Sequence, residues 1–384
     1  MKDSFPRGQV AVVGAATYGM GEAPGFQNVE LAASASVRAL AQAGLQPKDV
    51  DGLFIVTMDD TLVGLTFAEY LGIQPRFTDN CRTGGSSFQI QATIAALALA
   101  AGQCDVVLIA YGSNQRTTSG KLVQSGRASP WEAPYRPMNP ITSYALAAAR
   151  HMHQYGTTKE QLGEVAIAAR QWAQKNPDAF MREELTMEGY LSARTISSPL
   201  GVRDCCLVTD GAAAVVMVRA DHARDLVKKP VYLLGAAAET THREIANMPD
   251  LTLTGTARAA KRAFAQAGVK PGDIDVVELY DAFTINTILF LEDMGFCPKG
   301  EGGRFVSGGR IAPGGELPVN TNGGGLSCVH PGMYGLFTIV EATRQLQGIC
   351  GERQVPDAKL AVAQGNGGVL SSEAVLVLGT EETL

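Results

Sequence analysis

Residues 39–51 read ALAQAGLQPKDVD, and residues 263–275 read AFAQAGVKPGDID. Eight of the thirteen positions are identical at a constant offset of 224: Ala39/Ala263, Ala41/Ala265, Gln42/Gln266, Ala43/Ala267, Gly44/Gly268, Pro47/Pro271, Asp49/Asp273 and Asp51/Asp275. Each copy joins the end of a helix, a glycine stop and the entry to an apolar strand. Such a repeat predicts two similar halves, each building its own helix and sheet layers.

The flanking pattern agrees with that division. Residues 10–14 form an apolar strand ending in glycine, 28–43 an amphipathic helix, and 50–57 the next strand. The stretch 86–101 carries no charge and is apolar or small on every face, so it predicts a central, buried helix. Residues 105–111 follow as a strand. In the second half 332–346 reads as a mostly apolar helix, followed by the strand 359–364 and the glycine cluster 365–368. Alternating strands and helices predict a largely parallel sheet covered by helices. Between the halves lies a proline-rich stretch from Ser113 to Asp204, with helices expected at 143–155 and 159–175. We read it as an insertion lying over the active site. Residues 206–219 then return as strand–turn–strand through Asp210-Gly211. The expected units are 1–112 with 205–228, the insertion 113–204, and 229–384.

Composition narrows the function classes. A chain of 384 residues exceeds one simple core. Net charge is −6 with no Lys/Arg cluster, which argues against nucleic acid and anionic membranes as partners. Seven cysteines without CxxC or metal-finger spacing read as free thiols in a reducing compartment. No signal-peptide core or membrane span is recognisable, so a cytoplasmic protein is expected. His151 and His153 are two apart on an expected helix and face different directions, a poor metal pair; no metal site is expected. Gly323, Gly324 and Gly325 lack the lysine and spacing of a phosphate loop. Cys205, Cys206 and Cys328 are assigned no chemistry, and the first two read as packing.

Two helix mouths carry the candidate chemistry. Cys81 precedes the central helix beside flexible glycines, where a helix N-terminus lowers a thiol pKa. His330 stands before its own helix in NTNGGGLSCVHPGMYG (320–335), and a neutral histidine can take a thiol proton. A packed cysteine and a hydrogen-bonded turn histidine are the plain alternatives. In VELYDAF (277–283), Tyr280 lies at the end of an apolar strand, where such sheets bind ligands. It is either a proton donor or a capped core aromatic. Gly367 and Gly368 either present backbone N–H groups to an oxyanion or form a tight turn.

The motifs NCRTGG, CDVVLIAYG, VTDGAAAVVMV, VELYDAFT, LEDMGF and NGGGLSCVHPG together resemble the thiolase superfamily over essentially the whole chain. Within it they resemble sterol-carrier-protein-type thiolases and lipid-transfer-protein-like acyltransferases. The resemblance implies an α/β fold of five layers, α-β-α-β-α, built from two pseudo-symmetric halves, with an inserted loop domain and a homodimer. It matches Cys81 to the acylated nucleophile and His330 to the activating histidine, with Val329-His330-Pro331 in place of Gly-His-Pro. Tyr280 stands where the family has an oxyanion-hole Asn or His. The second catalytic cysteine has no counterpart: its two family positions fall near Gly365 and at Ala282. Tyr280-Asp281 together with Tyr334 instead resembles thiolase-like retro-aldolases, which cleave a β-hydroxyacyl-CoA with tyrosines and work with a small OB-fold partner. The first expectation is an acyl-CoA acyltransferase with an acyl-enzyme on Cys81. The second is a retro-aldolase using Tyr280 and Tyr334, and the third a non-catalytic acyl-CoA or lipid-binding module. In each, the coenzyme A thioester is substrate or ligand, and no bound cofactor is expected.

Overall fold

The computed structural model describes residues 5–120 and 129–384. The first half holds β1 (Val10–Gly21), α1 (Asn28–Gln42), β2 (Gly52–Val56), α2 (Val63–Leu71), β3 (Phe77–Asp79), α3 (Ser87–Ala100), β4 (Val106–Ser113) and the short α4 (Gln115–Ser119). The segment between the halves contributes α5 (Ile141–Tyr155), α6 (Lys159–Gln174), α7 (Met187–Leu191) and a hairpin of β5 (Thr195–Ser197) and β6 (Leu200–Gly201). The chain returns through β7 (Asp210–Arg219) and α8 (Ala220–Leu226). The second half holds β8 (Val231–Thr240), α9 (Thr256–Ala267), β9 (Val276–Glu278), α10 (Thr284–Asp293), α11 (Gly302–Val306), α12 (Gly335–Gln347), β10 (Leu360–Gly367) and β11 (Ser372–Gly379).

The two halves repeat one sheet. From the junction outward the first runs β1-β7-β4-β2-β3 and the second β8-β11-β10-β9. In each, a parallel pair (β2/β4, β9/β10) is continued by two antiparallel neighbours. Two short pairings, Ala11 with Tyr232 and Val12 with Val231, join them into one sheet of nine strands. The outer helix α1 covers the first sheet and α9 the second, while α3 and α12 touch each other and strands of both halves. These are the five layers.

The repeated residues do the same work twice. A methyl group on Gly14 would lie 2.0 Å from the Ala39 carbonyl oxygen, and one on Gly235 would lie 2.1 Å from that of Ala263, so both outer helices rest on bare backbone. Gln42 accepts from Ala15 N–H at 2.9 Å and Gln266 from Ala236 N–H at 2.8 Å. Asp51 takes the N–H groups of Asp105 and Val106, and Asp275 those of Lys359 and Leu360. Gly44 and Gly268 end their helices at φ 68° and 72°, a conformation that favours glycine.

Two expectations are overturned. The sheet is parallel only toward its outer edges; from β4 to β10 every neighbouring pair runs antiparallel. The strand–helix–strand rule holds where a helix crosses between strands, but β10 and β11 are joined by a short turn, which only an antiparallel pair allows. Asp210-Gly211 makes no turn but opens the continuous strand β7, because the Asp210 carboxylate accepts from the N–H groups of Ala23, Arg116 and Thr117. The two helices expected between the halves form within two residues of their expected ends. Among the described residues no helix is long and apolar enough to cross a membrane.

Candidate active site

The N-termini of the two central helices meet. A methyl group on Gly335 would lie 1.9 Å from the Gly85 carbonyl oxygen, and Gln89 of α3 donates to the Gly335 carbonyl at 2.8 Å. In front of this junction lies a cavity of about 1210 Å³. Its wall includes residues 82–85, Tyr280, His330, Gly332 and residues 366–368. The segment between the halves adds residues 136–140 and Tyr144 to that wall.

Each polar group is held from behind. Leaving β9, Leu279 N–H donates to Asn320 at 2.6 Å and Tyr280 N–H to Gln364 at 3.1 Å, and the tyrosine ring lies against Gly85. His330 N–H donates to Thr209 at 3.0 Å, and its carbonyl accepts from Gln115 at 2.7 Å. Tyr280 Oη and His330 Nε2 then lie 3.1 Å apart, with the rings edge to face. Both side chains are buried. Burial pushes the His330 pKa down to about 4, so the imidazole is neutral at pH 7. Burial also pushes the Tyr280 phenol well above its ordinary value, so it stays protonated. His330 Nδ1 has no hydrogen-bond partner among the described residues. Asp281, next in the chain, accepts from the N–H groups of Gly325 and Leu326, and burial raises its pKa to about 7.

The structure does not place a cysteine at the helix mouth. Helix α3 begins at Ser87, because Thr83 to Ser87 first close a compact turn. In it Ser87 Oγ donates to the Gly84 carbonyl at 2.6 Å and accepts from Thr83 N–H at 2.8 Å. Cys81 lies upstream of this turn, its N–H bound to Asp79 at 2.9 Å, and does not line the cavity. Burial and the Asp79 carboxylate raise its thiol pKa, the reverse of the lowering expected at a helix end. Gly85 occupies the mouth instead: a methyl group there would stand 1.9 Å from Tyr280 Cε2 and 2.6 Å from the Asn366 carbonyl.

Tyr334 stands behind the wall rather than in it. Its ring meets that of Tyr280 edge to face at 5.8 Å, but its side chain is fully buried, donates to Asn322 at 2.9 Å and stacks on Phe337. Gly367 and Gly368 do line the cavity, pressed against the turn 83–87. Cys206, read from sequence as packing, is the cysteine in the wall; its N–H donates to the Ala282 carbonyl at 2.8 Å and burial raises its thiol pKa. His151 lies in the interior, its ring bridging Thr157 and Glu292 at 2.8 and 3.0 Å.

Two pseudo-symmetric α/β halves around paired central helices, with a cavity at the helix mouths, define a thiolase-type fold. The chain belongs to the thiolase superfamily. A family model described as thiolase C-terminal domain-like matches residues 237–380. The 17-hydroxy-3-oxo-4-pregnene-20-carboxyl-CoA lyase of Mycobacterium tuberculosis is 35% identical, over 89% of this chain and 92% of that protein. An acetyl-CoA acetyltransferase of Methanothermobacter thermautotrophicus is 33% identical, over 95% of this chain and 98% of its own length. Among solved structures, the Ltp2-ChsH2(DUF35) aldolase superposes with a TM-score of 0.89 at 32% identity, covering 98% of both chains.

Proposed function

We propose that this protein is a carbon–carbon lyase of the retro-aldol type acting on β-hydroxyacyl-CoA thioesters, with Tyr280 and His330 as its proton-handling pair. The observation that carries this reading is Gly85 at the helix mouth, with Tyr280 laid across it and 3.1 Å from a neutral His330. An acyl-enzyme needs a thiol at that mouth, whereas a retro-aldol cleavage needs only a base and an electron sink. The β-hydroxyl proton passes to the Tyr280 oxygen as the phenol gives its own proton to His330 Nε2. The C2–C3 bond breaks, its electron pair moves into the thioester as an enolate, and the β-carbon leaves as a ketone or aldehyde. Returning the proton from His330 through Tyr280 to C2 gives the shortened thioester and restores the pair. Backbone N–H groups at Gly367 and Gly368 stabilise the enolate oxygen. No redox partner is needed, since every atom comes from the substrate. The similarity to a pregnene-carboxyl-CoA lyase and to an aldolase supports a bulky acyl group. Screening β-hydroxyacyl-CoAs for release of a carbonyl compound and a shorter thioester tests the proposal; turnover of none, alone or with the partner below, removes it.

A second reading, acyl transfer, is favoured by the identity to an acetyl-CoA acetyltransferase and by the Cys206 thiol in the cavity wall. An acyl adduct on Cys206 or Cys81 in peptide mass spectra after incubation with acyl-CoA would select it. Two assembly features belong to the same proposal. A small OB-fold partner is implied by the resemblance to thiolase-like retro-aldolases; the two-component Ltp2-ChsH2(DUF35) aldolase supports a partner, and co-purification from the native host tests it. A homodimer is supported by the edge strand β3 beside α2, where Leu62, Leu65 and Tyr70 are exposed; light scattering that gives a monomer mass would reject it.

A further inference from the structure

Helix α5 borders two spaces at once. Near its start Ser143 and Tyr144 stand in the wall of the catalytic cavity. Thr142, Leu146, Arg150 and Gln154 run down one face of the helix at four-residue spacing and form the side of a second cavity, a groove of about 830 Å³. The span from Thr142 to Gln154 is about 18 Å of helix, so the groove leads well away from the reaction centre. The two spaces share Glu132, Pro137, Ser143 and Ile245 in their walls, so they adjoin. Ile245 and Met248, from the loop after β8, give the groove a buried apolar floor. The chain before α5 lines it with Trp131 and Tyr135, which are 79% and 85% exposed. Large aromatic and aliphatic side chains left open to water beside a reaction site mark a place that receives an apolar ligand.

A thioester held at Tyr280 and His330 has two arms, a CoA arm that carries phosphates and an acyl tail. Charge sorts them. The wall of the catalytic cavity carries the exposed Arg82 and Arg136, together with Arg243 paired to Glu244 at 2.9 Å. Among the groove's lining residues the carboxylates of Glu132 and Asp250 face only one cation, Arg150, and the rest are uncharged. Two carboxylates to one cation disfavour a phosphate chain, while the apolar walls favour a tail. The volume lies in the upper part of the range that holds drug-sized ligands, which suits fused rings better than a single chain. We propose that this groove receives the acyl tail of the substrate and selects a bulky polycyclic group, with Leu146 in contact with it. This rests on the reading of the catalytic cavity as a thioester site, but not on which bond is broken there.

The test is calorimetric binding of acetyl-CoA and of cholanoyl-CoA, a saturated tetracyclic thioester. Neither carries a β-hydroxyl, so no carbon–carbon cleavage intervenes, and a failure of the lyase reading leaves the result intact. The wild-type protein should bind cholanoyl-CoA at least about tenfold more tightly than acetyl-CoA. Leu146 is 48% exposed on α5, so it can be changed without disturbing the interior. Leu146→Glu puts a charge where the tail lies; it should weaken cholanoyl-CoA by about tenfold or more and leave acetyl-CoA within about twofold. Leu146→Met should keep the wild-type preference. Equal affinities in the wild type overturn the assignment. So does a Leu146→Glu protein that binds both thioesters as the wild type does, or one that weakens both alike, which gives the groove to the CoA arm. Binding of neither thioester by the wild type removes the reading of the cavity as a thioester site, and this assignment with it.

Discussion

Replacing Gly85 with alanine adds one methyl group at the point where the two central helices open. That methyl would stand 1.9 Å from Tyr280 Cε2, 2.6 Å from Tyr280 Cζ and 2.6 Å from the Asn366 carbonyl oxygen. Neither neighbour can easily withdraw. Asn366 is paired in the sheet with Glu373 of β11, and the Tyr280 backbone is tied to Gln364. Relieving these contacts forces the ring to swing off His330, and the 3.1 Å hydrogen bond is lost. Overpacking of this kind costs about 1–3 kcal/mol of stability. Misplacing a proton-transfer group by about 1 Å costs about a hundredfold in rate. Urea unfolding and kcat/KM on a cleavable β-hydroxyacyl-CoA measure both. The paired variant Gly85→Ala with Tyr280→Ala removes the obstructing ring, so it should lose less stability than the two single losses combined and recover no activity. Wild-type stability and rate in Gly85→Ala, or a double variant destabilised by the full combined loss, would refute this reading of the helix mouth.

His330 binds its proton in the unfolded chain near pH 6.5 but in the folded chain only near 4, so the unfolded state holds more protons in between and stability falls as the pH drops through that window. The loss is about 3 kcal/mol, it should be absent in His330→Gln, and NMR of the His330 ring should show a neutral imidazole down to about pH 5. Arg353→Met strands the Glu341 carboxylate, which Arg353 Nε meets at 2.8 Å in the interior, and should cost about 3–5 kcal/mol in urea unfolding. Gly235→Ala drives a methyl to within 2.1 Å of the Ala263 carbonyl and should cost about 1–3 kcal/mol, with Gly14→Ala, its repeat mate, behaving alike.

The repeat was readable because both copies keep the same residues for the same bonds, so identity at a constant offset exposes it even though Asp51 and Asp275, and Gln42 and Gln266, reach partners well removed in sequence. Helices α5 and α6 were readable because they carry their own apolar periodicity. Asp210-Gly211 was misread because the carboxylate that opens β7 is claimed by Ala23, Arg116 and Thr117, which are distant in sequence. The site divides the same way. Tyr280 and His330 stand in motifs long enough to place them, and the structure brings them together. Cys81 was credited with a helix mouth because apolar periodicity marks where a helix can run, not where the preceding turn closes. That closure depends on Ser87 bonding back to Thr83 and Gly84. Gly85 acquires its meaning only from a ring delivered by β9.

If carbon–carbon cleavage runs on the Tyr280–His330 pair, it needs no cysteine nucleophile. The most direct measurement is the cleavage rate of one β-hydroxyacyl-CoA substrate by wild type, Cys81→Ala and Tyr280→Phe, each shown to be folded. Cys81→Ala should retain cleavage near the wild-type rate, and Tyr280→Phe should fall by about two or more orders of magnitude. Abolished cleavage in a folded Cys81→Ala, or undiminished cleavage in Tyr280→Phe, would contradict that chemistry.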